Sequence, residues 1–225
     1  MQRFILSSLI IAIIAITGCK KDNYKPPTSI LQGQVSYQGQ PIGLRSNGVQ
    51  LELWQHGFEV FSKIPVYIAQ DGTFSASLFD GDYKLVLLRG NGPWINSADS
   101  MDVKVNGNTT VDVTVTPYFL IKDAAIGQSG TNVNASFTLQ QVNTSLPLEA
   151  VRIYLGATTV VDQVNSVASV EKAAADIPNI GQPIQLTVNI PSSLSSKGYL
   201  FARIGVKTAG VAELLYTMPQ KIELK

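Results

Sequence analysis

His56 is the only histidine and Cys19 the only cysteine among 225 residues. Zinc motifs built on paired histidines are therefore excluded, because one imidazole cannot form them. A serine triad would have to take His56 as its base. No Gly-x-Ser-x-Gly elbow accompanies it, and Gln55-His56-Gly57 falls at the end of a strand, where a solvated side chain with no catalytic task is the plain reading. Cys19 closes the run Ile16-Thr17-Gly18-Cys19, so its sulfur reads as a lipidation site rather than a nucleophile. Carboxylates are more numerous: 16 Asp and Glu satisfy on counting alone the two that a glycosidase needs. Most of them, however, fall in turns or on strand faces. Asp80 and Asp82 flank Gly81 as a calcium loop might demand, yet calcium takes about six or more oxygens and the pattern breaks into Tyr83-Lys84. Gly90-Asn91-Gly92 is not followed by Gly-Lys-Ser or by a helix start, and reads as a loop rather than a phosphate cradle. The expectation is a protein with no catalytic residues, no metal and no cofactor.

Aromatic residues supply the one positive chemical signal. Trp94 lies in Arg89-Gly-Asn91-Gly-Pro-Trp94-Ile-Asn96-Ser97, where glycine and proline impose an irregular backbone and Asn91 and Asn96 offer amides. Sugars present apolar C–H faces and many hydroxyls, so an aromatic ring with neighbouring amides is the chemistry of a glycan site. Trp54 shares strand parity with Gln50 and Glu52 and is expected to point away from the core. Both tryptophans have a structural alternative, in which Trp94 plugs the open end of a sandwich and Trp54 packs against a second domain.

These side chains need a scaffold and an address. Met1-Gln2-Arg3 precedes an apolar run from Phe4 to Ile16, too short for a spanning helix and fitting a signal peptide over residues 1–18. Acyl chains on Cys19 would hold the mature chain to a membrane without crossing it. Residues 19–28, containing Lys20-Lys-Asp-Asn-Tyr-Lys-Pro-Pro27, read as the lipidated cysteine and a spacer. With that cysteine acylated, an internal disulfide is impossible and stability must come from the core. Lys plus Arg number 17 against 16 acidic residues, which leaves no electrostatic footprint for nucleic acid.

From Ile30 onward the hydrophobic period is two. Leu31–Tyr37, Val49–Trp54, Thr73–Leu78, Tyr83–Leu88, Met101–Val105 and Thr109–Val115 alternate in this way, with Asp71-Gly72, Asp80-Gly81 and Asn106-Gly107-Asn108 as turns. Pro117 marks a boundary, and a second series follows: Ala135–Gln140, Val151–Leu155, Ile184–Ile190, Tyr199–Val206 and Ala212–Tyr216. Only Val170–Asp176 has helical propensity, and it is too short for more than a turn or two. The expectation is all-β, with two consecutive β-sandwich domains over residues 29–117 and 118–225.

Particular segments carry resemblances. Gly33-x-Val35, Gly39-Gln-Pro41-Ile-Gly43, Gln70-Asp-Gly72-Thr-Phe74 and Gly81-Asp-Tyr83-Lys-Leu85, in that order, resemble the transthyretin-like domain found beside carboxypeptidases. Tyr199-Leu-Phe-Ala-Arg-Ile-Gly-Val206 followed by Thr208-Ala-Gly210 resembles the last hairpin of a fibronectin type III or immunoglobulin-like sandwich, with a tyrosine corner near Tyr199. The lipobox, Asn47-Gly-Val-Gln-Leu-Glu-Leu-Trp54, Leu78-Phe-Asp-Gly81, Gly90-Asn-Gly-Pro-Trp94, Val115-Thr-Pro-Tyr118 and Phe201-Ala-Arg-Ile-Gly-Val-Lys-Thr208 together resemble a family of Bacteroidetes lipoproteins known as a domain of unknown function. The resemblance implies genes beside SusC-like transporters and SusD-like glycan-binding lipoproteins. It therefore implies an outer-membrane, outward-facing lipoprotein that serves polysaccharide uptake as an accessory binding or spacer component. The alternative is a purely structural or protein-interaction lipoprotein with no sugar site. No functional residue carries over from the family.

Overall fold

A computed structural model describes residues 25–57, 62–97 and 100–225. The expected signal peptide over residues 1–18 and the expected lipidation site Cys19 lie outside the described residues. Two β-sandwiches follow one another along the chain, each closing over its own hydrophobic core.

The first sandwich contains β1 (Ser29–Tyr37), β2 (Gln40–Pro41), β3 (Gln50–Trp54), β4 (Lys63–Tyr67), β5 (Thr73–Leu78), β6 (Gly81–Leu87), β7 (Ser100–Val105), β8 (Asn108–Thr110) and β9 (Val113–Thr114). One sheet centres on β1, which pairs antiparallel with β2 and β5 and parallel with β8 and β9. The other sheet runs in the order β4-β3-β6-β7. Alternation sets the inward face: Leu31 and Val35 of β1, Leu51 and Leu53 of β3, and Tyr83 and Leu85 of β6 are all buried. The Tyr83 hydroxyl donates to the Phe79 carbonyl at 2.9 Å, tying the start of β6 to the turn before it.

β4 is absent from the period-two reading. Pro65 interrupts its alternation, and a proline inside an apolar run argues against a central strand. The structure resolves this by placing β4 at the sheet edge, where Pro65 sits opposite Glu52 and a missing N–H costs no ladder bond.

The second sandwich contains β10 (Phe119–Ser129), β11 (Asn132–Gln141), β12 (Leu148–Gly156), β13 (Ala168–Ala173), β14 (Ile184–Asn189), β15 (Tyr199–Thr208), β16 (Leu215–Tyr216) and β17 (Gln220–Glu223). A three-stranded sheet β10-β11-β14 faces a sheet in the order β13-β12-β15-β16, with β17 also on β15. Three expectations are corrected. The second strand series begins at Phe119 rather than at Ala135, because β10 hydrogen-bonds to β11 along its length with a shift between Lys122 and Ala125. Val170 lies in β13, not in a helical turn, since pairing with β12 outweighs local propensity; only Ala174–Asp176 forms a 3-10 turn. The Ala212–Tyr216 strand shortens to Leu215–Tyr216. At the start of β15, the Tyr199 ring packs edge-on against Phe201 and beneath the Lys221 ammonium.

The sandwiches are joined by more than the chain. Arg203, fully buried in β15, donates to the Thr217 carbonyl at 2.5 Å and reaches across to the Gln70 side chain and carbonyl, each at 3.1 Å. Its guanidinium lies 4.5 Å from the Tyr216 ring centre, and burial pulls its pKa down to about 10. Tyr216 in turn donates its N–H to the Gly43 carbonyl, and Arg45 forms an ion pair with Glu213. Gly43 has to be glycine here, because a Cβ at that position would stand 2.2 Å from the Tyr216 carbonyl oxygen.

Candidate functional site

Trp94 does not face solvent. The indole is 4% exposed within the first core, and Trp94 forms a β-bridge with Pro117. On either side, Ile95 N–H donates to the Thr116 carbonyl and Tyr118 N–H to the Pro93 carbonyl. The ring also lies flat over Gly92, where a Cβ would stand 2.3 Å from Cζ2. This corrects the expectation of a stacking platform: the loop folds inward because the chain leaving for the second sandwich covers it. The carbonyl oxygens of Asn91 and Asn96 are both engaged by backbone N–H groups, one of β3 and one of the loop itself. Asn91 Oδ1 accepts the Gln50 N–H at 2.7 Å and Asn96 Oδ1 the Gly90 N–H at 2.5 Å. Trp54 is half-buried, its Nε1 donating at 3.2 Å to a Glu52 carboxylate that Lys63 also binds at 2.5 Å. His56 is exposed just beyond β3. Asp80 Oδ1 accepts the Ser29 hydroxyl at 2.6 Å and the Gly107 N–H at 2.8 Å, which makes it a clasp between strand ends.

Two aromatics among the described residues are exposed, Phe79 at 43% in the turn after β5 and Tyr67 at 52% at the end of β4, and Tyr67 is the one on a sheet face with polar neighbours. Its position follows from register. Ile68, next in the chain, is buried and bridges Phe74 of β5, which sets Tyr67 beside Ser75 and Ala69 beside Thr73 on the opposite, outer face. Ser75 in turn is opposite Gln32 of β1, and Gln32 is opposite Thr110 of β8. One row of outward side chains therefore runs Tyr67, Ser75, Gln32, Thr110. A parallel row runs Ala69, Thr73, Gln34, Asp112, since Thr73 pairs with Gln34 and Asp112 Oδ1 accepts the Gln34 N–H at 3.0 Å.

Between and around these rows lies a groove of about 540 Å³. Its floor is low because Ala69, Thr73 and Ser75 are short, while Tyr67 and the glutamines stand up from it. Gly33 is what allows the last column to form. A Cβ on Gly33 would sit 1.8 Å from the Val111 carbonyl oxygen, so only glycine lets the 110–112 segment approach β1 closely enough to present Asp112. The chemistry offered is a solvent-facing ring, two amides, three hydroxyls and a carboxylate on a rigid sheet. Sequence reading missed Tyr67 because it missed β4; the signal was the shared parity of Ile64, Val66 and Ile68 around Pro65.

A second concavity of about 330 Å³ opens where the sandwiches meet, bounded by Tyr37, Gln40 and Pro41 on one side and Lys122, Thr217 and Met218 on the other. Among the described residues no group of three or more His, Cys, Asp or Glu side chains is arranged to hold a metal, and no helix is long and apolar enough to cross a membrane.

Two family models match the chain: "Protein of unknown function (DUF3823) N-terminal domain" over residues 29–116 and "Domain of unknown function (DUF3823_C)" over residues 119–221. The fold is shared with a DUF3823 family protein from Bacteroides ovatus, 38% identical, with a TM-score of 0.81 over 88% of this chain and 100% of that one. A DUF3823 family protein from Parabacteroides merdae is 35% identical, with a TM-score of 0.80 over 89% of this chain and all of the other (100%). At 18% identity, a "putative carbohydrate binding protein" from Bacteroides uniformis has a TM-score of 0.70 over 88% of this chain and 100% of its own. No curated protein matches the sequence.

Proposed function

Because the chain belongs to the DUF3823 family, we propose that it is a non-catalytic lipoprotein that binds carbohydrate on the outer face of its first sandwich, around Tyr67. The observation that carries the reading is the row Tyr67, Ser75, Gln32, Thr110 beside the groove. An exposed phenol ring stacks on the C–H face of a pyranose while fixed amides and hydroxyls meet its hydroxyls. The description of the Bacteroides uniformis protein, which shares the fold, agrees with this use of the scaffold. A lipid on Cys19, a short charged spacer and placement at the outer membrane beside a SusC/SusD-like transporter complete the reading. In that setting the protein holds polysaccharide near the uptake machinery without cleaving it.

Affinity electrophoresis of the mature chain on a panel of polysaccharides tests the binding role. Tyr67→Ala is expected to weaken retention by tenfold or more, each tenfold being about 1.4 kcal/mol, whereas His56→Ala leaves it unchanged. Because Tyr67 is exposed, the variant should melt with wild type. If no polysaccharide retains the wild-type protein, the structural, protein-interaction role replaces this one.

A further inference from the structure

Resting on the carbohydrate reading of the Tyr67 face, we infer that its ligand is a neutral polysaccharide bound along the chain, not an acidic glycan and not a chain end. Charge decides the first point. Among the described residues that line the groove, Asp112 is the one acidic side chain and none is a lysine or arginine. A second carboxylate, Asp71, lies outside the lining, in the turn before Thr73, where its Oδ1 accepts both the N–H and the hydroxyl of Thr73, the latter at 2.7 Å. Uronate or sulfate groups entering here would meet the Asp112 carboxylate with no lysine or arginine among the described lining residues to offset it, and that juxtaposition disfavours them. Sugar hydroxyls fare differently. A carboxylate is the strongest acceptor available to an O–H donor, and Asp112 has one oxygen engaged by the Gln34 N–H, leaving Oδ2 for the ligand. Thr73, whose hydroxyl proton is given to Asp71, presents its oxygen as a further acceptor. Gln32 holds its amide toward Thr110 at 3.5 Å, on the side of the groove away from Tyr67.

Shape decides the second point. The row from Tyr67 to Thr110 crosses three interstrand spacings, about 14 Å, which exceeds one pyranose ring. The groove lies on an open sheet face rather than in a closed end pocket, so among the described residues it leaves room for a polymer to continue past either side.

The experiment is affinity electrophoresis of the mature chain, at low and at moderate salt. One set of gels contains neutral glucan, mannan, xylan or galactan; the other contains polygalacturonate or a sulfated galactan. Retention is expected on at least one neutral polymer, weakened at least tenfold by Tyr67→Ala and by Asp112→Ala, and insensitive to salt. Acidic polymers should pass without retention, and Asp112→Lys should introduce salt-sensitive retention on them. A long soluble oligosaccharide of the neutral polymer should compete, and the free monosaccharide should not. Tyr67-dependent retention by an acidic polymer alone would overturn the neutral assignment while leaving the binding face in place. Retention indifferent to Tyr67, or none on any polymer, would overturn both. Thermal melts of the exposed-site variants establish that each is folded.

Discussion

Trp94 and Tyr67 show how one residue type serves opposite ends. Both are aromatic side chains next to an isoleucine in sequence, yet one is sealed beneath Pro117 and the other stands on a sheet face. The distinction has a measurable consequence. Truncating the sealed indole opens a cavity, so Trp94→Ala should lower stability by about 3 to 5 kcal/mol in chemical denaturation. Trp94→Phe, which fills much of the space, should fold and leave the polysaccharide retention proposed for the Tyr67 face unchanged. A folded Trp94→Phe protein that lost retention would return the binding role to the Gly90–Ser97 loop. Gly33 and Gly92 belong to the same scale: each is a place where a backbone carbonyl or an indole occupies the volume of a missing side chain.

Strand ends are where this fold spends its polar side chains. Asp80, in the turn between β5 and β6, accepts from Ser29 at the start of β1 and from Gly107 in the turn before β8, and so fastens three elements at one corner. Those two donors, Ser29 first, hold its carboxyl below the ordinary aspartate value of 3.8. A depressed folded-state pKa contributes stability that is present above the unfolded value and is lost as pH falls through the folded one. The melting temperature should therefore decline below about pH 4, with Asp71 adding to the decline through its Thr73 bonds. Asp80→Asn should make that decline shallower, and an unchanged acid limb would show that the clasp contributes nothing. β4 makes the other point at this scale. An edge strand tolerates Pro65, and the same edge position lets the chain turn the corner from one sheet to the other, which sets Tyr67 beside Ser75.

Across the whole molecule, the two sandwiches share a buried polar joint rather than a flexible linker. Arg203 satisfies three carbonyl-type acceptors from Gln70 and Thr217 while stacked on Tyr216. Replacing it by leucine keeps bulk but orphans those acceptors, at about 1 to 3 kcal/mol each. Calorimetry is expected to show a single transition for wild type and a lower, split one, with one step per sandwich, for Arg203→Leu. Arg203→Lys should be intermediate, since an ammonium cannot reproduce the planar fork. A single transition at the wild-type temperature in both variants would place the coupling elsewhere, with the Arg45–Glu213 pair next to test.

Period-two alternation by itself determined the all-β class, most strands and their inward faces, because burial of one face of a sheet is a local property of residues i and i+2. It also limited the chemistry, since one histidine and one cysteine cannot build most catalytic sites. Family resemblance was legible too, being carried by turn glycines and strand motifs in a particular order. Tertiary structure alone decided where a ligand could sit. The groove is assembled by pairings distant in sequence, Gln34 with Asp112 at a separation of 78 residues being one, and no local pattern encodes which strands become neighbours. The Gly-Asn-Gly-Pro-Trp94 loop has one composition whether it projects or folds inward. Its fate depends on Thr116 and Pro117 passing over it, and so on a second sandwich docked against the first.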